Sequence, residues 1–285
     1  MPHADFINPD QSHAGPIGVF DSGYGGLTIL NAIRRHLPEY SYLYLGDNAR
    51  APYGTRSFGL VYDFTLSAVQ ALFERGCALV ILACNTASAK ALRSIQQRDL
   101  PLIGGGRRVL GVIRPTVEAL GAVSRSRHVG VLATPGTVRS RSYSLEVAKL
   151  YPEMCVTETA CPMLVPLIEN SEGHSPGADY FVEKYVRAAL EADRLTDTLV
   201  LGCTHYPLIA DSIRRAAGPG VRILAQGELV ADSLADYLRR HPEIERRCER
   251  GADVHYLTSE ESAKFDAMAS IFTGTEVRSA HIALC

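Results

Sequence analysis

The chain has 285 residues, of which 46% are hydrophobic and 21% charged, with 29 Lys plus Arg against 31 Asp plus Glu. That length can bury a sizeable core in one large domain or two smaller ones. The near-balance of charge gives no argument for nucleic acid as an obligatory partner, and no apolar run approaches the roughly 20 residues needed to cross a bilayer, so no membrane partner is expected.

The first 15 residues, MPHADFINPDQSHAG, are polar and lack the apolar centre of a secretion signal. They read as a flexible extension, and cytoplasm is the default location. Seven cysteines follow: Cys77, Cys84, Cys155, Cys161, Cys203, Cys248 and Cys285. An odd number in a long chain without an export signal predicts reduced thiols, not a disulfide framework. No CxxC pair occurs, so no structural metal is expected.

Short apolar runs then alternate with longer amphipathic ones. Ile17–Phe20, Tyr42–Leu45, Leu79–Ala83, Val109–Ile113, Val129–Ala133, Leu199–Leu201, Val221–Leu224 and Val254–Leu257 read as strands buried on both faces. Leu27–Leu37, Leu60–Arg75, Ala87–Gln97, Val138–Leu150, Tyr180–Asp193 and Leu229–Arg240 read as helices. This alternation predicts an α/β fold with mostly parallel sheets.

Two stretches of the chain are alike. IGVFDSGYGG from Ile17, with LVILACNTASAKAL from Leu79, parallels VGVLATPGTV from Val129, with TLVLGCTHYPLIADSI from Thr198. With Gly18 placed on Gly130, Ser22 falls on Thr134; Ser22 to Cys84 is 62 positions and Thr134 to Cys203 is 69. Two pseudo-symmetric units are therefore expected, each offering one cysteine at a strand's C-terminal end. The expected division is an extension over 1–15, a first α/β domain over 16–111 plus about 221–285, and a second over 112–220.

In open α/β sheets ligands bind beyond the carboxyl ends of the strands, and five segments fall there. Asp21-Ser22-Gly23-Tyr24-Gly25-Gly26 joins a strand to a helix, and its glycines bring backbone amides close to a ligand; Asp21 fits a base or a plain helix cap. Gly46 to Thr55 is a polar turn in which Pro52-Tyr53-Gly54 presents backbone amides and an amphipathic ring, or is an ordinary surface loop. Cys84-Asn85-Thr86-Ala87-Ser88 puts a thiol at the positive end of a helix dipole, which favours the thiolate. Gly202-Cys203-Thr204-His205-Tyr206-Pro207 repeats that geometry, with a histidine two positions after the cysteine. Cys161 to Asn170 contains two prolines and ends near Glu169, as the wall of a site or as a connecting loop. Gly104–Gly106 lacks a Walker lysine and a GxGxxG fingerprint, so it reads as a loop and not as a phosphate nest.

Two thiols on opposite faces of one carbon can invert it, one as thiolate removing a proton and the other as thiol delivering one. Such chemistry needs no cofactor, and no cofactor fingerprint is present. Hydroxyls and turn amides of Ser22, Asn85, Thr86 and Thr204 are available to stabilise the carbanion.

The segments Asp21-Ser22-Gly23, Pro52-Tyr53-Gly54, Cys84-Asn85-Thr86-Ala87-Ser88 and Gly202-Cys203-Thr204-His205-Tyr206-Pro207 resemble, in order and spacing, the signature segments of glutamate racemase, from about Pro16 through the late strands. The resemblance implies two α/β domains with the site in the cleft between them, and cofactor-independent conversion of L-glutamate to D-glutamate for peptidoglycan. It makes Cys84 and Cys203 the catalytic thiols, assisted by Asp21 and by His205 with Glu169. Ser22, Pro52, Tyr53, Gly54, Asn85, Thr86 and Thr204 match substrate-binding positions, with Asp21 and His205 sharing that role. A related aspartate or hydantoin racemase, or a member with an added gyrase-binding role, is the alternative, and a homodimer is one assembly to expect. Three features depart from the family pattern: Arg114, the length of the Gly104–Arg108 loop, and Leu224-Ala225-Gln226-Gly227, which lacks the acidic or hydroxyl residue often found there.

Overall fold

In the computed structural model, which describes residues 14–284, the run Ile17–Asp21 forms β1 with all five residues buried. Its side chains alternate between the two faces of a sheet. Ile17 and Val19 join the cluster that includes Leu30 and Ile33 of α1 (Gly26–His36), and Phe20 joins Val69 and Leu72 of α2 (Phe58–Glu74) on the opposite face. Burial on both faces is why the sequence here is continuously apolar and not alternating. Each such side chain contributes about 1.5–3 kcal/mol by leaving water.

The first sheet continues through β2 (Tyr42–Gly46), β3 (Leu79–Leu82) and β4 (Arg108–Gly111), each reached by a crossover. The chain then builds a second sheet from β5 (His128–Ala133), β6 (Cys155–Ala160), β7 (Thr198–Gly202) and β8 (Arg222–Leu224). It returns to the first with β9 (Val254–Thr258) and β10 (Ser279–His281). The strand orders are β10-β9-β2-β1-β3-β4 and β6-β5-β7-β8, and every pairing is parallel.

The segments β2-β1-β3-β4 and β6-β5-β7-β8 share one order, so the fold is two-domain α/β with pseudo-symmetric halves. The strand registers match as well. Gly18 stands opposite Val80 and Phe20 opposite Leu82, while Gly130 stands opposite Leu199 and Leu132 opposite Leu201.

Several expectations change. The run Val109–Ile113 splits: β4 ends at Gly111, and Ile113 begins helix α4 (Ile113–Val123). The return to the first unit does not come at about residue 221, because β8 hydrogen-bonds to β7 in the second sheet. The helix expected over 87–97 starts as α3 (Asn85–Lys90), and that over 138–150 breaks at Arg141, where φ is +55°. It forms α5 (Pro135–Ser140) and α6 (Ser142–Leu150). Strands β6 and β10 carried no apolar run; both are edge strands, β6 partly buried and β10 mostly exposed.

Of the extension expected over 1–15, residues 1–13 lie outside the described residues. Gly15 donates to Arg247 O at 3.0 Å and accepts from Glu249 N–H at 2.8 Å. Arg114 pairs with Glu118 at 2.8 Å and Glu146 at 2.7 Å on the surface. The three glycines of Gly104–Gly106 all take positive φ in the link into β4, a region open to them without a Cβ. Among the described residues, no helix is long and apolar enough to cross a membrane.

Candidate active site

Cys84 lies two residues beyond Leu82, and Cys203 lies two residues beyond Leu201. Leu82 and Leu201 are the positions that the register makes equivalent. Both sulfurs therefore emerge at the carboxyl ends of the second-crossover strands, one in each half. Each residue is 6% exposed, and both line one cavity between the halves.

Cys84 is the N-cap of α3. Its Sγ accepts from the Ala87 N–H at 3.4 Å and lies 3.5 Å from Ser22 Oγ. Burial, followed by the negative charge of Asp21 nearby, pushes this thiol up to about 12, against the opposing pull of those two hydrogen bonds. At neutral pH Cys84 is a thiol. Asp21 is itself 1% exposed; its Oδ2 accepts from the Gly23 N–H at 2.9 Å, while its Oδ1 is buried with no hydrogen-bond partner. Burial raises its carboxyl above the ordinary value, and the positive charge of His205 opposes that rise.

Cys203 Sγ lies 3.8 Å from His205 Nδ1. The other ring nitrogen, Nε2, is 2.8 Å from Glu169 Oε1 at the end of α7 (Leu164–Glu169). Burial alone would lower the imidazole, but its hydrogen bonds to Cys203 and Glu169 outweigh this and raise it to about 10. His205 is thus an imidazolium at neutral pH, beside the Cys203 sulfur. Its ring also meets Phe272 edge-on at 5.7 Å.

The Gly46–Thr55 turn closes one side of the cavity. Asp47, fully buried, accepts from Arg50 Nε at 2.7 Å, from Ser259 Oγ at 2.7 Å and from the Tyr53 hydroxyl. These bonds fix the ring of Tyr53 and with it Pro52 and Gly54; the Ala51–Pro52 peptide is cis. Lys90 Nζ donates to Arg56 O at 2.7 Å, fastening the helix headed by Cys84 to this turn.

All twelve residues singled out in the sequence line this one cavity: Asp21 and Ser22; Pro52, Tyr53 and Gly54; Cys84, Asn85 and Thr86; Glu169; and Cys203, Thr204 and His205. Its volume of about 70 Å³ is several times what one water needs.

Sequence reasoning missed Thr134, which also lines the cavity. As N-cap of α5 it accepts from the Thr137 N–H at 3.3 Å, and its hydroxyl lies 3.0 Å from Thr86 Oγ1. The signal was available, since the internal repeat sets Thr134 against Ser22. Cys77, by contrast, is buried in the core away from the cavity. Among the described residues no group of three or more His, Cys, Asp or Glu is set to hold a metal ion.

Residues 27–234 match the family model described as Asp/Glu/Hydantoin racemase. A glutamate racemase of Ruegeria sp. (strain TM1040) is 43% identical over 271 residues, 92% of this chain and 97% of the relative. The crystal structure of a glutamate racemase isoform from Bacillus anthracis superposes with a TM-score of 0.87 at 32% identity, covering 96% of this chain and 99% of that one. A glutamate racemase from Francisella tularensis, solved in complex with D-glutamate, gives a TM-score of 0.82 at 29% identity, covering 95% and 97%.

Proposed function

The chain belongs to the Asp/Glu/hydantoin racemase family, and from that premise we propose that it interconverts L- and D-glutamate by a two-thiol proton transfer without a cofactor. The observation that carries this reading is the pair Cys84 and Cys203, set at equivalent strand ends and lining one small cavity.

Glutamate lies between the sulfurs with one face of Cα toward each. In one direction the Cys203 thiolate takes the Cα proton, the electron pair passes into the adjacent carboxylate, and the Cys84 thiol gives its proton to the opposite face. Cys203 ends as thiol and Cys84 as thiolate, and the reverse reaction exchanges these roles. The His205 imidazolium, 3.8 Å from Cys203 Sγ, stabilises negative charge on that sulfur. Glu169 holds the ring in place and favours its cationic form. The Ser22 hydroxyl and the Ala87 N–H perform the same service at Cys84.

The unpartnered Asp21 Oδ1 supports a place for the substrate ammonium. Asn85, Thr86, Thr204 and the Pro52–Gly54 turn supply donors for the carboxylates. The reading carries with it a cytoplasmic enzyme supplying D-glutamate for peptidoglycan.

Circular dichroism of the purified protein with L-glutamate, then with D-glutamate, and separately with L-aspartate, without added pyridoxal phosphate, tests the proposal. Both glutamate enantiomers are expected to decay to the racemate while aspartate stays unchanged. An unchanged glutamate signal, or faster racemisation of aspartate, overturns it.

A further inference from the structure

The segment Leu224-Ala225-Gln226-Gly227, one of the places where the family resemblance breaks, puts an amide at position 226. Gln226 is 2% exposed and precedes helix α10 (Gly227–Arg240), which follows α8 (Pro176–Ala192) and α9 (Ala210–Ala217) in the chain. It meets Asn85 of α3, Thr116 of α4 and Tyr143 of α6, all 2% exposed or less. The hydrogens of this cluster can be placed one after another.

Thr116 Oγ1 gives its single hydrogen to Val112 O at 2.7 Å, so toward Gln226 its oxygen is an acceptor. The Gln226 atom facing it at 2.8 Å is therefore the amide nitrogen, Nε2. The same nitrogen donates to the Tyr143 hydroxyl at 2.9 Å, and its longer contacts, at 3.3 Å to Asn85 Oδ1 and to Val112 O, are also with acceptors. Gln226 Oε1 must then face Asn85, where it accepts from Nδ2 at 2.6 Å. The Tyr143 hydroxyl, having accepted from Gln226, donates its own hydrogen to Asn85 Oδ1 at 2.7 Å.

Both amides are thus fixed in one orientation. The Asn85 carbonyl oxygen is turned into the cluster, and one Asn85 N–H is left over on a residue that lines the cavity. We propose that Gln226 is a positioning residue: it turns the Asn85 amide so that an N–H donor is offered to a carboxylate of the substrate. This inference rests on the reading of the cavity as a glutamate site. With Gln226 replaced by a residue of the same shape that cannot hydrogen-bond, Asn85 keeps only the Tyr143 hydroxyl as a partner in this cluster, and because that hydroxyl can accept as well as donate, the amide can turn and present its carbonyl to the anion.

The test measures kcat and KM for both glutamate enantiomers in Gln226→Met, in Asn85→Ala and in the double variant. Gln226→Met is expected to raise KM about tenfold, the scale of one oriented hydrogen bond to a charged group, with kcat changed less than about threefold. In the Asn85→Ala background the same substitution is expected to change KM less than about twofold, because its effect passes through Asn85. Thr116→Val removes the acceptor that directs Gln226 and is the second probe should Gln226→Met fold poorly; it is expected to raise KM as well.

Native KM in both Gln226→Met and Thr116→Val overturns the proposal. So does an undiminished Gln226→Met effect in the Asn85→Ala background, which a merely structural role would give. A native protein that does not racemise glutamate overturns the functional reading and this inference together, whereas normal native activity with unmoved variants overturns this inference alone.

Discussion

Gly25 packs against the imidazole of His205 so closely that a Cβ at position 25 would stand 2.4 Å from Nδ1 and 2.3 Å from Thr204 Oγ1. The glycine of the first half's turn is thus the seat of the second half's histidine. Gly25→Ala is expected to displace the His205 turn and lower kcat at least tenfold, since a shift of about 1 Å at a reacting group can reduce the rate on the order of a hundredfold. Overpacking is expected to lower stability by about 1–3 kcal/mol. Steady-state kinetics beside a thermal melt check both; native kcat in a folded variant would show that the contact has no part in positioning His205.

The thiols are tested directly. Cys84→Ala and Cys203→Ala are each expected to abolish racemisation while the protein stays folded. In deuterated water the native protein is expected to place deuterium at Cα of the product, observed by loss of the α-proton NMR signal. Full activity in either variant, or retention of the original hydrogen over many turnovers, contradicts proton exchange through two sulfurs.

The pH dependence follows from His205. Its folded value of about 10 lies above the ordinary 6.5, so between those limits the folded state holds a proton that the unfolded state has lost. The stability this group contributes is fully present below about pH 6.5 and is lost as pH rises through about 10. Activity that needs the imidazolium declines over the same alkaline limb. Glu169→Gln removes one of the groups that raise the imidazole, so it is expected to move the alkaline limb of kcat/KM to lower pH. Rate profiles of the two proteins decide it, and coincident limbs would detach Glu169 from the histidine's charge.

Tyr53→Phe removes one of the donors to buried Asp47 and leaves those from Arg50 and Ser259. A hydrogen bond to a charged group is worth about 1.5–3 kcal/mol, so the urea midpoint is expected to fall with the slope unchanged. KM for glutamate is expected to rise because Pro52 and Gly54 line the cavity. An unchanged midpoint would mean that the Asp47 cluster does not hold the turn.

The sequence by itself determined the alternation of strand and helix, the position of both thiols at strand ends and the likeness of the two halves. These are local properties: continuous apolar runs mark strands buried on both faces, and a polar turn after each marks its C-terminal end. Matching offsets of 62 and 69 residues then made Cys84 and Cys203 counterparts. Tertiary structure alone decided that β8 joins β7 and that edge strands β6 and β10 exist, because partial burial leaves no apolar run to read. It alone gave Glu169 its 2.8 Å contact with His205 Nε2, where the family resemblance had placed both beside Cys203, and it alone set Gly25 beneath that ring and Gln226 against Asn85 across 141 positions. Hydrogen bonds and close approaches between residues so far apart leave no periodicity in the chain; they exist only once two sheets, each specified by its own apolar pattern, have closed on one another.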